Sequence, residues 1–382
     1  MKILLVVTGL PDQNSPGRSV FNLKYAEELQ AQGFDVTFLY LRAIKPGRSF
    51  FMRSKINGIE VFEIRTVIPK VSFIKYTTPL TKLFKILLKR SEIKQKLQDI
   101  DIIHAIHRGA IELSYIISKR YNKPMISQFI GGELNVELPH LLKRKNFLKG
   151  IKHSNYLCFN SSQLEQEFLL KLKTKHKTKV LYRGVKLDDF RYNFKKSSEV
   201  NILFLGGFPG NTNSKGGLTL IETIKLINSI SLSNVLNFKI GGPNSLNFKN
   251  SLDHLSNKKI TTTFIGAVDK DLVKDIMSES HIVLIPSLAE GVPNILYEAM
   301  ASGNMVIATD VGGISEVLKS EVTGVLIPPN DPKALKTAII NSTNRIERIE
   351  EFAKKGRLKI KKLSYDKFVD NYLDIYHKTI NN

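Results

Sequence analysis

Short runs of consecutive apolar residues recur along the chain and alternate with stretches whose apolar positions repeat every three or four residues. In the first half the runs are KILLVV, DVTFLY, IEVFEI, DIIHAI, PMISQFI, YLCFN and KVLY. In the second they are NILFLG, NFKIGG, TTFIG, IVLIP, NMVIAT and GVLIP. Apolar residues at successive positions suit strands buried on both faces, and the helical stretches between them supply the crossovers that parallel strands require. The pattern therefore predicts one doubly wound α/β sheet followed by another. Charged and turn residues in YRGVKLDDFRYNFKKSSEV, residues 182–200, separate the last strand of the first sheet from the first strand of the second. From about residue 345 the segments RIEEFAKKG and DKFVDNYLDIYHK carry the apolar spacing of helices.

Length and composition agree with this plan. A chain of 382 residues exceeds one ordinary core and suits two domains. No apolar run approaches the ~20 residues that cross a bilayer. The opening MKILLVVTGL is followed by proline, aspartate and asparagine where a signal peptide needs a small-residue cleavage site, so it reads as a first buried strand. A single cysteine, Cys158, excludes an internal disulfide and a cysteine-based zinc cluster and fits a reducing compartment, the cytoplasm.

Charge adds an asymmetry. Residues 1–200 hold 36 of the 57 Lys+Arg but 17 of the 35 Asp+Glu, whereas residues 201–382 are nearly balanced. A bias of the whole chain toward lysine would act on both halves, so the first half has its own reason to be basic. The net charge of +22 raises nucleic-acid binding as one reading. Against it, the chain has no tryptophan and no recognisable groove-reading or base-stacking module.

The most informative stretch is SLAEGVPNILYEAMASGN, residues 287–304. Glu290 lies in a loop after the run IVLIP, Pro293 suits the first turn of a helix, Glu298 lies inside that helix, and Gly303 is its stop. Capping accounts poorly for this pair, because Ile295 stands where a capping box needs Ser or Thr before Glu298. Two carboxylates on one side of a turn can each hold a vicinal diol, while helix N–H groups between them accept phosphate. That constellation suits a nucleotide-sugar, with a sugar at one end, a ribose at the other and a diphosphate between.

The segment SLAEGVPNILYEAMASGNMVIATDVGGISEVLKSEVTGVLIPPNDP resembles the E-x7-E region of the retaining family 4 (group 1) glycosyltransferases of GT-B fold, along most of the second half. The resemblance implies two Rossmann-like doubly wound domains facing a cleft: an acceptor domain over 1–190, a nucleotide-sugar domain over 191–355, and a C-terminal helix, 356–382, packing back on the first domain. It implies that Glu290 holds the donor sugar and has the catalytic role, that Glu298 holds the ribose, and that the backbone of Asn294 and Ile295 meets the phosphates. FLGGFPGNTNSKGGLTLIETI is similar to the family's phosphate loop, with Lys215 neutralising the diphosphate leaving group. Gly207 departs from the family, which usually has an arginine there. Either donor affinity is lower, or a basic group such as Arg18 takes that place. TFIGAVDKDLV resembles the segment whose backbone near Val268 meets the nucleobase.

In the first half, GLPDQNSPGRSVFNLKYAEELQAQGFDVTFLY is similar to the family's N-terminal loop and helix, and Gly17 matches the first glycine facing the donor phosphate. No G-x-G-x-x-G is present there, which disfavours a dinucleotide-dependent dehydrogenase. DIIHAIHRGA resembles a strand-end segment on the acceptor side, making His107 and Arg108 acceptor candidates. PMISQFIGGELN has Phe129 and Ile130 where the family often has a histidine, so that role does not transfer. Residues 79–97, PLTKLFKILLKRSEIKQKL, place Lys82, Lys85, Lys89 and Lys96 in one sector of a helical wheel opposite leucines and a phenylalanine, and HLLKRKNFLKGIK follows at 140–152. Such helices either lie on anionic lipid or pack in the core with a solvated lysine face.

The expectation is thus a retaining glycosyltransferase using a UDP- or GDP-linked sugar, with no resident cofactor or metal and no nucleic-acid partner. It acts on a saccharide or lipid-linked saccharide in cell-surface polysaccharide synthesis (lipopolysaccharide or capsule), in the cytoplasm or at the inner membrane face. A nucleotide-sugar epimerase or a phosphorylase on the same architecture is the rival among enzymes, and a basic nucleic-acid-binding protein is the rival from another class.

Overall fold

Each of the apolar runs falls on a strand. The computed structural model describes residues 1–11, 19–43, 51–66, 91–130, 145–172, 175–192, 197–209 and 214–381. These divide into two units. The first comprises Met1–Asn160, Leu164–Leu181 and Val369–Asn382, and the second comprises Ser161–Gln163 and Tyr182–Phe368.

The first unit holds β1 (Lys2–Val7), β2 (Asp35–Ala43), β3 (Phe51–Ile56), β4 (Ile59–Thr66), β5 (Ile102–Ile106), β6 (Met125–Phe129), β7 (Tyr156–Phe159) and β8 (Thr178–Val180). They form one sheet in the order β3-β4-β2-β1-β5-β6-β7-β8. Its pairs are parallel except β3 with β4, a hairpin turned by Asn57-Gly58 with both residues at positive φ. β3 is the strand that the apolar pattern misses. It is an edge strand whose FMRSKI is exposed over most of its length, so it has no buried face to write into the sequence. The central strands β1, β5 and β6 are buried throughout or nearly so, as their unbroken apolar runs require.

The last helix, Tyr365–Ile380, has its residues from Val369 onward in the first unit. Tyr372 and Tyr376 are fully buried there. The Tyr376 hydroxyl lies 2.9 Å from the Tyr25 hydroxyl and 2.7 Å from His104 Nδ1, and the Tyr372 ring packs on His104 with centroids 4.8 Å apart. Burial depresses the His104 pKa to about 3 and pushes the neighbouring Cys158 thiol up to about 12, so both groups are held neutral. A run of apolar and aromatic residues at helical spacing is thereby locked by one shared hydroxyl.

The second unit holds β9 (Glu199–Leu205), β10 (Val235–Gly241), β11 (Ile260–Gly266), β12 (Ile282–Ile285), β13 (Met305–Thr309) and β14 (Val325–Ile327), in the order β11-β10-β9-β12-β13-β14 with every pair parallel. Alternation along β9 assigns the two faces. Ile202 and Phe204 join a core with the helices Gly217–Asn228 and Pro332–Thr343, while Leu203 joins the opposite core with the helix Asn294–Ser302; the helix Ile346–Lys361 gives Ile349 and Phe352 to the first core and Ile360 to the second. The chain runs from β9 outward to β11 and then returns to the other side of β9 as β12. Strand order therefore reverses between β9 and β12, the place where the loops at the carboxyl ends of parallel strands diverge and leave a crevice.

Candidate functional site

That reversal point joins two loops distant in sequence. After β9, the chain reaches Gly216 and enters the Gly217–Asn228 helix; after β12 it passes Pro286 and Ser287 to Glu290. Gly216 has φ 74°, and a Cβ there would lie 1.8 Å from the Pro286 carbonyl oxygen, so only glycine lets the two loops close on each other. The Leu288 N–H donates to the Ser214 carbonyl at 2.8 Å and fixes the same approach.

The consequence is an ion pair. Lys215 Nζ donates to Glu290 Oε1, and the buried Ser287 hydroxyl donates to the same oxygen at 3.1 Å. The Glu290 side chain is 12% exposed and that of Lys215 is 42% exposed, so the carboxylate is held from below and the ammonium faces outward. Two donors on Oε1 orient the carboxylate and direct Oε2 to other partners. A third loop completes the support: a Cβ on Gly312 would sit 1.9 Å from the Glu290 carbonyl, and the Gly313 N–H donates to the Gly291 carbonyl at 2.8 Å.

Lys215, Ser287, Glu290 and Ile295 line a small cavity of about 40 Å³ over the ends of β9 and β12. This is far below the ~300–1,000 Å³ of ligand pockets. It is the floor of a site open at the carboxyl edge rather than an enclosed pocket.

The Asn294–Ser302 helix starts from Pro293, which is its N-cap and lies just outside the first turn. Proline brings no side-chain oxygen to a helix N-terminus; its backbone carbonyl accepts from the Leu296 N–H at 3.1 Å, and no cap side chain takes the N–H groups of Asn294 and Ile295. Asn294, exposed at the first position, accepts on Oδ1 from Arg183 Nη1 at 2.9 Å. Gly303 closes the helix in the left-handed conformation that its place in the sequence predicts. Glu298 lies in the middle of the helix, half-buried, and its backbone carbonyl accepts from the Ser302 hydroxyl. Gly207 follows β9 and Val268 follows β11, both half-buried on carboxyl-end loops of the same sheet and neither against the small cavity. A Cβ added to Gly207 would meet nothing within 4 Å.

Three neighbours of the site have no place in the sequence reading. Ser287 precedes Glu290 by three residues, a Ser-x-x-Glu spacing that was there to be noticed. Arg183 reaches Asn294 across 111 positions, and no local pattern announces it. Glu316 gathers the Ser162 N–H (2.8 Å), the Gln163 N–H (2.9 Å) and the Tyr182 hydroxyl (2.6 Å). Burial raises the Glu316 pKa, but these donors outweigh burial and the net shift is downward.

In the first unit, His107 and Arg108 follow β5, beside β1, where that sheet also reverses. His107 has φ 78° and its Nδ1 accepts from the Gly109 N–H at 3.5 Å, capping the Arg108–Tyr121 helix. Gly17 and Arg18 lie outside the described residues, as do residues 79–90 of the first basic stretch. In its described remainder Ile93 and Leu97 are buried in the core and Lys96 pairs with Asp35 at 2.9 Å. The Lys145–His153 helix likewise turns Phe147 and Ile151 into the core, leaving Lys145, Lys149 and Lys152 exposed. Phe129 is a core residue stacked on Phe159. Among the described residues no three His, Cys, Asp or Glu side chains gather as metal ligands, and no helix is long and apolar enough to cross a membrane.

Residues 199–344 match the family model described as glycosyl transferases group 1. The chain is 26% identical over 360 residues to the putative teichuronic acid biosynthesis glycosyltransferase TuaC of Bacillus subtilis, spanning 89% of this chain and 88% of that protein. Among solved structures it is similar to the sucrose-phosphate synthase of Thermosynechococcus elongatus, with TM-score 0.76 and 18% identity over 99% of this chain and 98% of that one. It is also similar to HepE of Anabaena in complex with UDP-glucose, with TM-score 0.69 and 16% identity over 99% and 100%. The matched segment begins with β9 and covers Lys215, Glu290 and Glu298. With the nearly full-length likeness to a glycosyltransferase, it makes the chain similar to the group 1 glycosyltransferases, and the solved structures give it the GT-B fold.

Proposed function

We propose that this glycosyltransferase moves a sugar from a UDP- or GDP-linked donor to a saccharide or lipid-linked saccharide, with retention of anomeric configuration, in the synthesis of a cell-surface polysaccharide. The observation that carries this reading is the Lys215–Glu290 pair at the strand-order reversal, set beside an N-terminal helix turn that has no capping side chain. The likeness to a structure holding UDP-glucose supports the donor class, and the likeness to a teichuronic acid enzyme supports the product class.

In this reading the Asn294 and Ile295 N–H groups and the Lys215 ammonium take the donor diphosphate, and the free edge of the Glu290 carboxylate accepts from sugar hydroxyls. Lys215 exchanges its carboxylate partner for phosphate oxygen as donor binds. Glu298 takes the ribose diol and the loop at Val268 meets the base. Gly207 leaves space for part of the donor and adds no charge. The bond from the anomeric carbon to the diphosphate oxygen breaks, and an acceptor oxygen bonds to that carbon on the same face. The acceptor proton passes to the departing diphosphate, whose growing charge Lys215 and the helix N-terminus stabilise. His107 and Arg108 lie on the acceptor side. The exposed lysines 145, 149 and 152 give peripheral attraction to anionic lipid at the inner membrane face, about 1 kcal/mol per basic residue. No resident cofactor or metal enters the proposal.

The test is incubation of the protein with radiolabelled UDP- and GDP-sugars, with and without a lipid-linked saccharide extract. The expected result is acceptor-dependent label in a lipid-linked or polymeric product, whose new linkage has the anomeric configuration of the donor by proton NMR. Conversion of the free donor without acceptor would establish an epimerase instead, and an inverted linkage would remove the retaining mechanism. Failure to bind anionic liposomes at low salt, with transfer only to soluble saccharides, would remove the lipid-linked acceptor.

A further inference from the structure

We infer that Arg183 is a positioning residue of the donor-phosphate site, acting through Asn294; the inference rests on the donor reading above. Three observations carry it. The Arg183 guanidinium donates to Asn294 Oδ1 at 2.9 Å, so it sits at the first residue of the helix whose leading N–H groups lack a capping side chain. That end of a helix is the positive end of its dipole, where a cation is the wrong charge for helix stability and the right one for a bound anion.

Second, the backbone that presents Arg183 is fixed on both sides. The Tyr182 hydroxyl donates to Glu316 at 2.6 Å, and Val185 forms a bridge with Ser364 and accepts from the Tyr365 N–H at 3.2 Å. An arginine on an anchored segment holds its fork in place with less loss of freedom on binding than one on a loose loop. Third, the loop from β9 to the next helix, residues 206–216, contains one cation, Lys215, and that cation is engaged by Glu290. A diphosphate carries more negative charge than one ammonium offsets. Arg183 supplies a second positive group beside Asn294, and its hold on the Asn294 amide keeps the first turn oriented so that the Asn294 and Ile295 N–H groups point toward the phosphates together.

The role is specific to phosphate, and this separates it from a structural one. Titration calorimetry with UDP and GDP, and with uridine and guanosine, is compared for the unaltered protein, Arg183→Gln and Arg183→Lys. The expected result is that Arg183→Gln weakens binding of the preferred nucleoside diphosphate at least tenfold while its nucleoside binds within twofold, and that Arg183→Lys recovers part of the loss. In turnover assays the variant raises donor KM more than it lowers kcat. Diphosphate affinity within twofold of the unaltered protein would overturn the inference and leave the donor reading standing. Equal loss of diphosphate and nucleoside, with a lowered melting temperature, would make Arg183 structural and also overturn it. Absence of nucleoside diphosphate binding by the unaltered protein would sink the donor reading and this inference with it.

Discussion

Each of the two parallel sheets carries a polar cluster, and the two clusters have opposite characters. In the first unit, His104, Tyr25, Tyr376 and Cys158 are sealed in the core, and burial holds His104 and Cys158 neutral, with the His104 pKa down at about 3. In the second, Lys215 and Glu290 form an ion pair at the carboxyl edge, with the lysine side chain 42% exposed and the carboxylate supported by a serine and by two glycine-bearing loops. A displaced pKa is commonly a sign of a functional site. Here the most displaced histidine belongs to the packing that seats the last helix, and the candidate site is marked by topology, by paired opposite charges and by a helix terminus without a capping side chain. Desolvation alone measures burial, whereas function needs groups that a ligand can reach.

The comparison breaks most decisively at the charged cluster. Glu290→Gln and Lys215→Ala should each lower the transfer rate by roughly 10²–10³-fold while leaving the melting temperature nearly unchanged, since an ion pair open to water on its lysine side contributes little to folding. Initial rates and a thermal melt on the same samples check this. A large fall in stability with activity retained would make the edge cluster structural like the core one.

Next in size is Gly216→Ala. The new methyl group would face the Pro286 carbonyl at 1.8 Å and the residue would have to hold φ 74°, so the loop must shift at a cost of about 1–3 kcal/mol or more. Urea unfolding should record that loss together with weaker nucleoside diphosphate binding, because Lys215 is the adjacent residue.

The core cluster is sharpened by pH. The folded protein takes up no proton on His104 until pH approaches about 3, while an unfolded histidine does so below about 6.5. Stability from this residue is therefore complete above pH 6.5 and falls as the pH drops toward 3, by up to about 1.4 kcal/mol per unit. Urea midpoints for the parent and His104→Asn, from pH 7 to 5, should show a steeper decline in the parent. Tyr376→Phe should cost about 1–3 kcal/mol, because it strips the hydroxyl shared by His104 and Tyr25 inside the core, with donor affinity unchanged.

The smallest effect belongs to Gly207. An alanine methyl group there meets open space and should change stability by no more than about 0.5 kcal/mol, read by urea unfolding. If Gly207→Arg binds nucleoside diphosphate more tightly, the space beside Gly207 is donor space.

Most of the architecture was legible because buried parallel strands must be apolar at every position, and Leu4, Ile202 or Val283 could not be otherwise. β3 escaped because an exposed edge strand obeys no burial pattern; its signal was the Asn57-Gly58 turn beside it. At the candidate site, Glu290 and Lys215 were visible because they lie in short segments of fixed spacing. Arg183 and the Tyr25–Tyr376 contact, 351 positions apart, were not, since their meaning arises only when the fold brings distant segments together.

The central claim is that the Lys215–Glu290 edge grips a nucleotide-sugar, and thermal shift with a panel of UDP-, GDP- and ADP-sugars tests it most directly. At a hundred times its dissociation constant, one of them should stabilise the unaltered protein by about 2.7 kcal/mol and raise its melting temperature by several degrees. The same ligand should leave a Glu290→Gln, Glu298→Gln double variant unshifted from an equal baseline. An equal shift in parent and double variant, or no shift with any of the ligands, would contradict it.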